Sequence, residues 1–157
     1  MSEASSAIED SFFQTPIFQA LTIGVPFCIF KLLLGTLSVR IGAEQQFGLL
    51  VFFGWAITAW ASADLAMNLA RVFFHLVGRE SPVEYCTIAQ VGRLFKRPRL
   101  FLAMDTFVSF FIICFALWSG WISNLHPAES YLWYGATTLN LISLSLVNIR
   151  LELKRGS

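Results

Sequence analysis

Four apolar blocks, separated by two short polar breaks and one long one, dominate the chain. They run over about 16–39, 47–70, 100–123 and 131–149. Each meets the length of roughly 20 residues that a helix needs to cross a bilayer. The pattern therefore predicts an all-α polytopic membrane protein with four transmembrane helices in one domain, residues 16–157, after an N-terminal segment, residues 1–15. Pro16 and Pro98 stand where proline suits a helix start. Pro26 falls inside the first block, where it should kink the helix or free a carbonyl for another group.

The breaks between blocks set the orientation. The connector between the second and third blocks carries Arg71, Arg79, Arg93, Lys96, Arg97 and Arg99, and the C-terminal tail carries Arg150, Lys154 and Arg155. That is nine of the 11 basic residues, and four spans put both groups on one side with the N-terminus. The excess of positive charge assigns that side to the cytoplasm, at the plasma membrane, or the inner membrane in a bacterium. Trp118, Trp121, Tyr131, Trp133 and Tyr134 gather around the opposite loop, as an interfacial aromatic belt does.

Within the long connector, "SPVE" at 81–84 has the form of a capping box with proline at the first helical position. It predicts a short interfacial helix reaching about Phe95. The basic patch Arg93, Lys96, Arg97 and Arg99 could then meet anionic headgroups. Glu84 and Thr87 interrupt its apolar face, which favours the plainer reading of a connector whose charge fixes topology. Both outer loops place Ala-Glu ahead of an aromatic residue, "GAEQQF" and "PAESYLW", a match too short to establish a repeat.

Polar residues inside the blocks are the candidate chemistry. An ionisable side chain at mid-bilayer costs roughly 2.5–3.5 kcal/mol on insertion scales, so each needs a partner, water or a route to the interface. Lys31 shares one helix face with Gly24, Cys28 and Gly35, at i, i+4, i+7 and i+11. Small residues on a membrane helix mark close helix contacts. The position lies about 13 Å from Arg40 at helical rise, far for snorkelling, so Lys31 is expected to face protein.

Asp64, Asn68, Arg71 and His75 repeat that spacing on the second block. Ala59, Ala63, Ala66 and Ala70 form a small-residue stripe on roughly its opposite face. A helix with both faces has protein on two sides, which predicts that the second span is the centre of the bundle or of an oligomer. On the third block Asp105 begins a face with Ser109, Ala116 and Ser123. Asp64 and Asp105 lie at matched depth, and Asp64 is expected to meet Asp105 or Arg99. Thr137, Asn140, Ser145 and Asn148 give the fourth block its polar face. The expected intramembrane cluster is Lys31, Asp64, Asn68, Arg71, Asp105 and Asn140, read either as a structural seam or as a proton or ion path.

Composition narrows the functions. Hydrophobic residues make up 56% and charged residues 13% of the 157, about half the charged share of an ordinary globular domain. Acidic residues and no basic ones precede the first block, and no cleavage site follows it, which argues against a removed signal peptide. Cys28, Cys86 and Cys114 form no CxxC and no even framework, so free thiols are expected. His75 and His126 fall on opposite sides, which excludes bis-histidine haem within one chain. There is no metal-ligand spacing, Gly-rich phosphate loop or nucleic-acid module, so no cofactor, metal or nucleic-acid partner is expected.

The first expectation is a non-enzymatic accessory, assembly or scaffold subunit of a membrane complex, or a homo-oligomer, with membrane lipid and other membrane subunits as partners. The alternative is a small proton- or ion-coupled transporter or channel using the carboxylates. A lipid-directed enzyme at the cytoplasmic face comes third.

Overall fold

A computed structural model describes residues 16–155. The segment 1–15 lies outside the described residues. All the regular elements among the described residues are helical.

Helix α1 has three joined pieces: Pro16–Gln19, a wider π-helical turn at Ala20–Gly24, and Val25–Glu44. Pro26 is the second residue of the last piece, so its missing N–H falls where the turn returns to α geometry. Helix α2 is Gly48–Leu76, α3 is Thr87–Leu94, α4 is Pro98–Trp118, and α5 is Pro127–Arg155 after a short 3-10 turn, Trp121–Asn124.

Helices α1, α2 and α4 are long and apolar enough to cross a membrane. Helix α5 has the same 29 residues as α2 but is not one of these three. Its Thr137, Asn140, Ser143, Ser145 and Asn148 dilute the apolar run. Its buried positions, Trp133, Ala136, Asn140 and Ser143, recur at three and four residues, a single helix face. That face turns toward α1, where Phe30 and Trp133 meet edge to face at 4.9 Å. Trp133 is thus a core residue and not part of an aromatic belt, whereas Trp118 and Tyr131 are exposed.

The hub is α1. Of its most apolar stretch 56% is buried, against 22% for α2 and for α4, and α2, α4 and α5 all pack on it. This corrects the expectation that the second span is the centre of the bundle within one chain. Ala59, Ala63 and Ala66 of α2 are exposed, so that small face looks away from the bundle. The glycines of α1 make the close contact instead. A Cβ built on Gly35 would lie 2.4 Å from Thr58 Oγ1 and 3.0 Å from the Gly54 carbonyl, and one on Gly54 would lie 2.7 Å from the Gly35 carbonyl. With lipid as solvent, this backbone-to-backbone approach supplies dispersion contacts that burial of apolar area would supply in water. At the far end of the bundle, Arg40 grips Glu129 through both carboxylate oxygens, at 3.0 and 2.8 Å, and donates to the Asn124 carbonyl.

The capping-box expectation fails. Helix α3 begins at Thr87, capped by Cys86, whose Sγ accepts the Ala89 N–H. Residues 81–86 stay irregular because side chains take up their backbone groups. Ser81 Oγ accepts the Val83 N–H, Gln90 accepts the Glu84 N–H, and Arg71 and Arg93 donate to the carbonyls of Val83 and Pro82. Gly92 then lets α3 lie against Phe101 of α4.

Candidate functional site

Three helices each deliver one charge to one buried point. Lys31 Nζ of α1 donates to Asp64 Oδ2 of α2 at 2.9 Å and to Asp105 Oδ1 of α4 at 2.5 Å. Lys31 is 1% exposed, Asp64 0% and Asp105 5%. The local sequence explains the aim. Lys31 sits on the glycine face that presses against α2. Asp64 continues the buried row Gly54, Ile57, Ala61, Asp64, Asn68, and Asp105 starts the row Asp105, Ser109, Ile112, Ala116. Alternating three- and four-residue steps keep each row on one face.

The two acids are held differently. Asp64 Oδ1 accepts the Thr87 N–H at 2.7 Å and the Thr87 hydroxyl at 2.8 Å, so the first turn of α3 closes over it. A backbone N–H at a helix start is a favourable donor to a carboxylate. Trp60, one turn before Asp64, donates from Nε1 to Thr87 Oγ1 at 2.7 Å, and Lys31 Nζ lies 4.4 Å from the centre of its ring. Asp105 accepts from Lys31 and has the Cys86 thiol nearby. Burial, and then the nearby Asp105, pushes the Cys86 thiol up to about 12. It therefore stays protonated and is a poor nucleophile.

The rest of the α2 stripe holds the connector. Asn68 Nδ2 donates to the Asp64 and Tyr85 carbonyls and lies 3.7 Å from Cys28 Sγ, while its Oδ1 is buried without a hydrogen-bond partner among the described residues. Arg71 donates to the Val83 carbonyl, lies 3.7 Å from Glu84, and stacks on Tyr85 with 3.8 Å from guanidinium carbon to ring centre. His75 is exposed.

The structure brings together Lys31, Asp64, Asp105 and Asn68, with Arg71 one layer away. Arg99 is exposed, so Lys31 is the shared cation in place of Arg99. Asn140 is buried on α5 with Oδ1 unpartnered among the described residues. Arg93, Lys96, Arg97 and Arg99 are exposed. Thr87, Trp60 and Cys86 did not emerge as site residues from sequence. Only Trp60 carried a usable signal, four residues before Asp64.

A cavity of about 320 Å³ opens against the cluster, bordered at its polar end by Lys31, Asp64, Asn68 and Asp105. That is the lower range of small-molecule sites. Among the described residues no group of three or more His, Cys, Asp or Glu is placed to hold a metal. Comparison with protein-family models, with curated proteins and with solved structures finds no match to this chain.

Proposed function

We propose that this chain is a four-span membrane protein with both ends cytoplasmic, acting as a small proton-coupled carrier whose proton sits on Asp105. The observation that carries the reading is a charge count at the end of a cavity. Two carboxylates surround one ammonium, and both approach it within 2.9 Å. In a site this buried, an uncompensated charge costs several kcal/mol. A proton on one acid removes the surplus. Asp64 has the stronger claim to the charged form, with Lys31 and two Thr87 donors on it. Asp105 borders the cavity with fewer donors. Hard divalent ions take six to eight oxygens, or an octahedron of them, which the cavity end does not offer beside an ammonium.

The length of α5, its packing along α1 and the nine basic residues on one side support the fourth span and the orientation. Reconstituted vesicles with an imposed pH gradient test the carrier. The wild type should collapse the gradient faster than Asp105→Asn, with both proteins equally helical. Equal rates refute it.

A second reading, a subunit of a larger membrane assembly, draws on the outward small face Ala59, Ala63 and Ala66 of α2. Ala63→Trp would then break an assembly that survives mild detergent.

A further inference from the structure

The cavity is built for a particular kind of guest. Its polar end is bordered by the Asp105 and Asp64 carboxylates, Lys31 and Asn68. Its walls are apolar: Ile23 and Phe27 from α1, Leu102 and Phe110 from α4, and Leu144 from α5. Helices α4 and α5 each lean on α1 but make little direct contact with each other. Phe110 is 42% exposed, and Leu144 is only partly buried. The cavity therefore runs from the apolar flank of the bundle inward to the charge cluster.

We propose that this cavity binds a lipophilic amine, its apolar body between α4 and α5 and its ammonium on the Asp105 carboxylate. The proposal rests on the reading of Asp105 as the proton-holding acid and names what exchanges with that proton. The charged and titratable groups around the cavity end are Lys31 and Cys28 from α1, Asp64 from α2, Asp105 from α4, and Tyr85 and Cys86 from the connector. The only cation among them, Lys31, is already shared by both acids. An anionic guest would meet two carboxylates. A neutral guest would leave the proton in place and gain no charge-assisted hydrogen bond. An ammonium supplies both the charge and the N–H donors. Its entry expels one proton: the protonated Asp105 carboxyl and the alkylammonium give an ion pair and a free proton, with no covalent change. Because the carboxylate is an acceptor, a primary ammonium should bind more tightly than a quaternary one of equal chain length.

Calorimetry on phosphatidylcholine nanodiscs holding the full chain, corrected for empty discs, tests this with n-octylamine, n-octyltrimethylammonium and n-octanol. The expected result is at least tenfold tighter binding of octylamine than of octanol, with the quaternary ion between. One proton should leave per amine, read from heats in two buffers of different ionisation enthalpy. Leu144→Trp, which fills the cavity away from the charges, should abolish amine binding at unchanged thermal stability. Equal affinity for amine and alcohol overturns the proposal, as does amine binding that Leu144→Trp leaves intact. If no amine binds while Asp105 still carries a proton in the infrared spectrum, the amine site falls and the proton-holding acid stands. If neither is seen, both fall.

Discussion

Replacing Lys31 with methionine would keep the volume of its stem and remove the one positive charge between Asp64 and Asp105. The two acids would then face each other across a site where Lys31 and Asp64 are at most 1% exposed. Removing one member of a buried pair costs about 3–5 kcal/mol, mostly through the charge left behind. Thr87 would still satisfy Asp64 Oδ1, so the loss should fall within that range and not above it. The deficit should shrink in acid, where a proton neutralises the stranded Asp64 carboxylate. In the triple variant Lys31→Met, Asp64→Asn, Asp105→Asn no charge remains, and the amide oxygen that replaces the Asp64 carboxylate could still accept from Thr87. Most of the stability should return, since a well-packed neutral replacement of a buried ion cluster is often neutral or better. The assay is reversible unfolding from mixed micelles by increasing dodecyl sulfate, followed by helicity. A Lys31→Met protein within about 0.5 kcal/mol of wild type, or a triple variant no better than the single, would refute the reasoning, because the 3–5 kcal/mol range leaves no room for either.

Gly35→Leu should cost at least the roughly 1–3 kcal/mol of an overpacked contact, because its Cβ would meet the Thr58 N–H at 2.9 Å and the Gly54 carbonyl at 3.0 Å, neither of which can swing away; the same unfolding assay reads it. Hydrogen bonding to Arg40 holds the Glu129 carboxyl below its ordinary value. The pair therefore stabilises fully above the usual glutamate range and loses its effect as pH falls through the lowered value. Glu129→Gln should be less stable than wild type at neutral pH by at most about 1 kcal/mol, and equal to it in strong acid.

Much of this fold was legible because spans are written in runs of apolar residues and helix faces in steps of three and four. The glycine face of α1 and the polar stripe of α2 could be read before any contact was known. The pairing of Lys31 was harder. Matched depth suggested that Asp64 would meet Asp105 or Arg99, yet it is Lys31, on a face that another helix covers, that joins the two acids. The centre of the bundle was misread because small residues mark close contact but do not name the partner. The alanine face of α2 and the glycine face of α1 look alike in sequence, and only the latter is used within this chain. The start of α3 was lost to a competition no local motif reveals, in which Arg71, Gln90 and Arg93 occupy the backbone groups a helix at Ser81 would have needed. Thr87 became a site residue through that displaced start.

The central claim is that the surplus carboxylate among Lys31, Asp64 and Asp105 carries a proton. Infrared spectroscopy of the protein in nanodiscs at neutral pH, in buffer free of amines, reads this directly through the carbonyl stretch of a protonated carboxyl. The account predicts such a band in the wild type, its loss in Asp105→Asn, and its persistence in Glu129→Gln. A wild-type spectrum with no protonated carboxyl, or a band that survives Asp105→Asn unchanged, would contradict it.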